Sequence, residues 1–535
     1  MDSTRRHILN LSRRGLLRGS VAAAALAAIQ PAIAPRVWAQ PVFARYPFSL
    51  GIASGDPLPD GVVIWTRLAP EPLAGGGMPR MAVEVGWEVA EDPGFARIAQ
   101  RGTALARPEL GHSVHVEVGG LQPGRPYHYR FRVGREVSPV GRTRTAPAPD
   151  AALALLRFVN AGCQHYEHGF FTAWRHIAEE SDLDFVFHYG DYIYEYRARG
   201  NQPGGSPAVR QHLGEEIHTI DEYRNRYALY RLDPDLAAAH AAHPFLVSFD
   251  DHEVDNNWAG EISEEDGSAR FPVAVPPEVF ALRKQIAFQA WYEMMPLRRA
   301  QLPRGPQILA HRRLRYGRLA DIHVLDTRGY RTDQPCGDGV RSACAEVNRA
   351  DATMLGADQE AWLLRNLEGR HATWQVLAQQ VMVMERDLGD DVRGRMISMD
   401  KWDAMPVARQ RLLDGVRQRK VDNLVVLTGD VHNAWAGEVR ANGGQGPALM
   451  TEFCASSISS NGDGSEALAA TPTVLRRNPH ISFFNNRRGY CLHEAGPKQM
   501  AVSFRAVDYV TRPGAPLVDK ARFVVEAGRA TIASA

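Results

Sequence analysis

Four short apolar runs, each leading into a segment of Asp, His, Tyr or Cys, constrain this chain more than any other feature. Residues 155–159, 185–187, 245–248 and 424–427 are the runs. The segments they lead into are Gly162-Cys163-Gln164-His165, Gly190-Asp191-Tyr192-Ile193-Tyr194, Asp250-Asp251-His252-Glu253 and Gly429-Asp430-Val431-His432. Short β-branched and aromatic runs read as buried strands. In open α/β sheets, ligands gather just beyond the carboxyl ends of the strands. A thiol, carboxylates, a phenol and imidazoles delivered to one edge therefore read as a metal site. Any single Asp-x-x-Tyr or Asp-x-His is more often a turn or a cap, so the joint arrangement carries the reading.

At 535 residues the chain exceeds the size at which one core keeps growing, and two or more domains are expected. Residues 40–150 carry alternating runs at 61–66, 81–89 and 113–118, and a turn followed by a strand at 121–131. That pattern predicts an all-β, fibronectin- or immunoglobulin-like sandwich, ending in an Ala-Pro linker over 143–150. From 151 to 535 strands alternate with helical stretches, including 170–180 and 358–367, which predicts an α/β layer fold. A Gly/Pro-rich loop spans 197–207, and a Tyr/Arg-rich helix over 219–232 is placed to cover the site. Strand-rich sequence returns after 451, at 450–455 and 500–506.

The formal net charge is +1, which excludes a general nucleic-acid-binding surface. Ser12-Arg13-Arg14-Gly15-Leu16-Leu17-Arg18 precedes an apolar stretch over 21–29 and small-residue sites at Ala32-Ile33-Ala34 and Val37-Trp38-Ala39. This predicts a twin-arginine signal peptide over 1–39, with the mature chain starting near Gln40. The expected partner is the twin-arginine export machinery, and the expected location is periplasmic or secreted. The apolar stretch is shorter than the roughly 20 residues a membrane span needs, and no later segment is long and apolar enough to cross a bilayer. Of five cysteines, Cys336 and Cys344 share a polar loop and are suited to a small disulfide. Cys454 and Cys491 lie in apolar segments as inert thiols, whereas Cys163 stands at a strand end.

A thiolate, a phenolate and an imidazole together suit ferric iron. Asp191 and Tyr194, three residues apart, can reach one ion, and Asp191 can bridge to a second. Paired ions roughly 3.5–4 Å apart clamp both the attacking and the leaving oxygen of a phosphoryl group. At this point the motifs resemble a known family. Gly162-Cys163-Gln164, residues 190–195, residues 249–258, Leu325-Asp326-Thr327-Arg328 and residues 428–435 are similar, in order and context, to alkaline phosphatase D (PhoD-like) enzymes. Those belong with the calcineurin-like and purple acid phosphatase-type metallophosphoesterases.

The resemblance implies a calcineurin-like β-sandwich flanked by helices (αββα), preceded by the N-terminal β domain. It implies a metal-dependent phosphate ester hydrolase, an alkaline phosphatase or phosphodiesterase using a metal-bound hydroxide. Cys163 stands where purple acid phosphatases place an aspartate, and Asp251 and Asp430 stand where they place an asparagine and a histidine. Gln379 and Gln380 offer amides where a further histidine would lie. Oxygen donors harden the second site toward calcium, and the resemblance likewise implies Fe(III) with Ca(II). The expected iron ligands are Cys163, Asp191, Tyr194 and His432; the expected calcium ligands are Asp191, Asp251 and Asp430, with Asn256 and Asn433 as further donors.

His252 is expected to donate the proton to the leaving oxygen. Asp326 and Arg328 are open between a structural ion pair and phosphate binding, and His165, His168 and His188 read as packing or surface residues. Asp255-Asn256-Asn257 is also compatible with a solvated turn. Two other readings are a phospholipase D-like phosphodiesterase and, from another class, an exported iron redox protein.

Overall fold

The computed structural model describes residues 42–199, 208–264, 274–369, 371–441 and 444–535. The segment read as an export signal lies outside them, as do residues 200–207 of the Gly/Pro-rich loop. Residues 42–535 make one compact unit.

The apolar runs become strands. Leu156–Ala161, Phe185–His188 and Pro244–Val247 lie parallel in one leaf. Ala320–Val324, Trp374–Ala378, Leu424–Thr428 and Ala448–Cys454 lie parallel in a second. The long strand Ile481–Ala495 joins them: its first half pairs with Ala434–Arg440 of the second leaf, and its second half with Leu156–Ala161 of the first. Every second residue of these strands faces the other leaf. Phe158, Phe185, Phe187 and Leu246 thereby share one apolar cluster with Ile322, Val376, Val425 and Phe453, as the facing sides of two packed sheets do.

Helices cover the two outer faces. Thr172–Glu179, Ile220–Arg231, Pro234–Ala242 and Pro277–Met294 lie on the first leaf. Gly356–Asn366 and Pro406–Gln418 lie on the second. Ile220–Arg231 begins with a capping box, in which Thr219 accepts from the Glu222 N–H while Glu222 accepts from the Thr219 N–H, satisfying two otherwise orphaned donors.

The first hundred described residues are all-β, as their alternation predicts. Val83–Ala90, Ile98–Ala106 and Pro126–Val133 form the heart of a five-stranded sheet. Ile52–Leu58, Gly61–Arg67 and Ser113–Val118 do something the alternation does not signal: Ile52–Leu58 pairs in parallel with Pro244–Val247, so these three strands extend the first leaf. The proposed linker also begins late, because Gly141–Arg144 is still a strand. All the parallel strands end on one edge, and the chemistry-bearing loops follow them there.

Candidate metal centre

Each loop at that edge turns sharply. Cys163, Asp191, Asp430 and His432 all have positive φ, at 52°, 54°, 66° and 60°. Side chains other than glycine rarely adopt this left-handed backbone, and its concentration at one site marks function. The loops are packed by close approach: a Cβ on Gly162 or Gly429 would lie 2.5 or 2.2 Å from the Tyr189 ring, so only glycine fits on either side of it.

Hydrogen bonds tie the loops together. Cys163 N–H donates to Gly190 O at 3.0 Å, and Gln164 N–H to Asp191 O at 3.1 Å. The Glu253 carboxylate accepts from Asp191, Tyr192 and Asp250 N–H groups at 3.1, 2.7 and 2.9 Å. Ser460 Oγ reaches the Tyr194 hydroxyl at 2.7 Å and donates to Cys163 O at 2.8 Å. Buried Arg488 donates to His432 O and to Ser457 Oγ.

Asp191 is the hub. Its Oδ2 accepts from Cys163 Sγ at 3.2 Å and from the Tyr194 hydroxyl at 2.8 Å, and lies 3.8 Å from His432 Nε2. Tyr194 also meets His432 Nε2 at 3.1 Å. The four expected iron ligands are thus together. Donor atoms of Asp191, Asp251 and His252 form a neighbouring group within 4.8 Å of one another, and those of Asp250, Asp251 and Asp430 form a third. Asp250, to which the sequence assigns no role, therefore stands beside two of the three expected calcium ligands, Asp251 and Asp430.

Electrostatics fit bound cations. Asp191 Oδ1, Asp250 Oδ2 and Asp251 Oδ1 are buried without a hydrogen-bond partner, a costly state for carboxylate oxygens unless a cation meets them. Burial pushes the Asp191 carboxyl up to about 7, with Asp251 adding to the effect and His252 opposing it. Burial, then Asp191, raises the Cys163 thiol and the Tyr194 phenol well above their ordinary values. His432 is held down to about 3 by burial, which keeps its imidazole neutral as a ligand must be. Hard carboxylate oxygens beside a thiol, phenol and imidazole supply two donor sets of different character.

Two buried cationic side chains complete the charge pattern. Arg328, fully buried, donates to Asp250 at 2.6 Å and to both oxygens of Asp400 at 2.7 and 2.9 Å, with Asp430 at 3.3 Å. Lys401 contacts both Asp400 and Asp430. The pairing of Arg328 with Asp326 suggested by their spacing is not what forms: Asp326 accepts the backbone N–H groups of Arg328 and Gly329 instead. Arg328 faces carboxylates and does not line the pocket.

His252 lines the pocket, and its Nδ1 meets Glu195 Oε2 at 2.8 Å. Burial alone would lower its pKa, but Glu195, Asp251 and Asp191 raise it well above the ordinary value. Asn256 and Asn433 also line the pocket, although Asn433 Oδ1 is taken by the Trp435 indole N–H. Gln380 Oε1 accepts from Thr327, and Gln379 Oε1 from Trp402, so neither amide enters the pocket. His165 stacks on His168 and packs against Tyr194, while His188 packs on Trp174. Asp255 is buried beside Arg283 at 3.3 Å, not in a solvated turn. The helix Ile220–Arg231 buttresses the site from behind, through Arg226 to Tyr194 O and the Tyr223 hydroxyl to Val254 O, and covers no part of its mouth. Cys336 and Cys344 are joined as a disulfide, and Cys163, Cys454 and Cys491 are free and buried.

Comparison with known proteins defines the class as phosphoester hydrolases of α/β fold. Residues 158–504 match the PhoD-like phosphatase family, and residues 32–147 match its N-terminal domain. The chain is similar to alkaline phosphatase D of Bacillus subtilis, 47% identical over 490 residues, which are 91% of this chain and 82% of the relative. It is also similar to a solved structure of PhoD at 46% identity and a TM-score of 0.88, covering 92% of this chain and 93% of that one. The chain belongs to the PhoD-like phosphatase family. It is a phosphoester hydrolase with a phosphate ester as substrate, and metal dependence comes with that membership. The redox reading of the same donor set is thereby displaced.

Proposed function

We propose that this chain is an exported alkaline phosphatase or phosphodiesterase with a ferric ion and a calcium ion side by side. Cys163, Asp191, Tyr194 and His432 would hold the iron; Asp191, Asp251 and Asp430, with Asp250 close by, would hold the calcium. The observation that carries this is the position of Asp191, which groups with Cys163 and His432 on one side and with Asp251 and His252 on the other, Asp251 belonging in turn to the carboxylate group with Asp250 and Asp430. Bound there, two cations would neutralise the ester's charge and lower the pKa of a coordinated water. The αββα layering and the all-β segment before it support a calcineurin-like catalytic domain over 151–535 and a sandwich domain over 40–150. Arginine-paired residues 12–18 support export by the twin-arginine route to the periplasm or beyond. Among the described residues no helix is long and apolar enough to cross a membrane.

The protein's own groups divide the work. Asp251 and Asp430 would hold the harder cation, which would supply charge neutralisation for the bound ester. Lys401, reaching Asp430 from the pocket wall, offsets the carboxylates so that an anionic ester is not repelled. His252, oriented by Glu195, donates a proton to the leaving oxygen opposite the attacking water. The test of the activity is hydrolysis of p-nitrophenyl phosphate and bis-p-nitrophenyl phosphate with and without a calcium chelator. Hydrolysis that stops on chelation and returns with calcium is expected; hydrolysis untouched by chelation would refute the calcium assignment.

The role of His252 has a separate signature. His252→Ala is expected to retain both metals by elemental analysis. Turnover of alkyl phosphates should fall roughly a hundredfold or more, within the range for general acid catalysis. Turnover of p-nitrophenyl phosphate should fall far less, because that phenolate leaves without a proton. Equal losses on the two substrates would remove His252 from the proton-donor role.

A further inference from the structure

The pocket has a volume of about 490 Å³ and two unlike ends. Asp191, Asp251, His252, Asp430 and His432 make the charged end, which the function above absorbs. The other end is walled by Leu388, Trp435, Val474 and Phe484, and among these apolar groups sits Arg386. Arg386 is only 5% exposed. Its guanidinium lies 5.1 Å from the centre of the Trp435 ring, a cation–π seat. Phe484 packs edge-on against the same ring at 4.5 Å.

What sets Arg386 apart is what it does not touch. Its guanidinium makes no hydrogen bond and no ion pair among the described residues, and its buried Nε has no partner. The nearby Asp403 carboxylate takes the backbone N–H of Arg386, at 3.1 and 3.3 Å, not the side chain. Buried Arg328 shows the usual arrangement, with its guanidinium hydrogen-bonded to three carboxylates. A buried cation without an anion is costly, and a guanidinium is shaped to bind phosphate or carboxylate in a bidentate manner. The Asp403 carboxylate offsets the Arg386 charge without touching it, so among the described residues the guanidinium keeps its hydrogen-bond donors free for an incoming anion. Trp435 is three residues beyond His432, so both ends of the pocket are built in part from one short segment of chain.

We propose that Arg386, seated on Trp435, forms a distal anion subsite, so that the preferred substrate is a phosphate ester carrying a second anionic group on a short apolar spacer. The proposal rests on the reading that the scissile ester occupies the charged end. In that geometry the first phosphate sits at the end lined by Asp191, Asp251 and Asp430, the residues that would hold the ions. The spacer lies against Leu388, Val474 and Phe484, and the second anion meets the Arg386 guanidinium.

The test measures binding of non-hydrolysable probes to the metal-loaded protein by calorimetry, using butane-1,4-diphosphonate, 5-phosphonopentanoate and butylphosphonate. The diphosphonate should bind at least about tenfold tighter than butylphosphonate, the gain expected of one charge-assisted bidentate contact. Arg386→Gln should bring that ratio to within about threefold of unity, and Arg386→Lys should restore part of it. If 5-phosphonopentanoate shares the advantage, the subsite accepts carboxylate as well as phosphate; if only the diphosphonate does, it selects phosphate. A ratio near unity in the wild type, or one that Arg386→Gln leaves unchanged, would overturn the subsite. Should Arg386→Gln fail to fold, the wild-type ratio and Arg386→Lys decide. Failure of the underlying reading looks different: the wild type would neither bind butylphosphonate nor hydrolyse p-nitrophenyl phosphate, and the subsite would fall with it.

Discussion

Asp191→Ala is expected to lower kcat on p-nitrophenyl phosphate by at least about a thousandfold, roughly 4 kcal/mol of transition-state stabilisation. Elemental analysis should show both metals depleted together. The reason is geometric. Asp191 Oδ2 stands within 3.2 Å of Cys163 Sγ and 2.8 Å of the Tyr194 hydroxyl, and Asp191 also groups with Asp251 and His252. Removing a shared ligand strips both donor groups at once. Asp430→Ala provides the contrast, because Asp430 groups only with Asp250 and Asp251; it should deplete calcium and leave iron. If Asp191→Ala emptied one metal alone, Asp191 would not be the bridge.

The second large effect is on stability. Arg328→Met is expected to cost about 3–5 kcal/mol at neutral pH, the usual loss when one partner of a buried ion pair is removed. The replacement fills the space but leaves Asp250, Asp251 and Asp400 without their common partner. Chemical denaturation midpoints would measure it. The loss should depend on pH. In the wild type, burial alone would raise Asp251 and Asp400, but Arg328 holds both below the ordinary carboxyl range, with His252 assisting at Asp251 and Lys401 at Asp400. Carboxyls depressed in the folded state contribute stability above their unfolded pKa and lose it as pH falls through the folded value. Without Arg328 that contribution disappears, so the gap between wild type and variant should be full above the ordinary carboxyl pKa of about 4 and narrow as pH falls below it. A gap that stayed constant through that fall would mean the loss is one of packing, not charge.

The expected ligands are legible in the sequence because each follows its own strand within a few residues. The distance from Ala161 to Cys163, or from Thr428 to Asp430, is set by a local turn. Groups that act from a distance leave no such trace. Glu195 is visible as part of the residue 190–195 motif, yet its service to His252 depends on two loops meeting 57 residues apart. Lys401 and Arg386 lie in a long connection after Trp374–Ala378 with no motif around them, and only the folded chain brings them to the pocket. The extension of the first leaf by Ile52–Leu58 is equally non-local, since an alternating strand does not name its neighbour. Asp326 and Arg328, open in the sequence between an ion pair and phosphate binding, do neither, because four distant carboxylates hold the stronger claim on the guanidinium.

Left-handed backbone at Cys163, Asp191, Asp430 and His432 sets the interests of folding and of chemistry against each other. Each such residue costs about 1 kcal/mol or more relative to glycine, several kcal/mol over the four. That is a sizeable fraction of the 5–15 kcal/mol by which a typical domain stays folded. A chain selected only for thermal stability would drift toward glycine at these positions and become sturdier as it became inert. Engineering for heat resistance should therefore leave these four turns alone and seek its gains on the second leaf's outer helices, Gly356–Asn366 and Pro406–Gln418, away from the loops that hold the site.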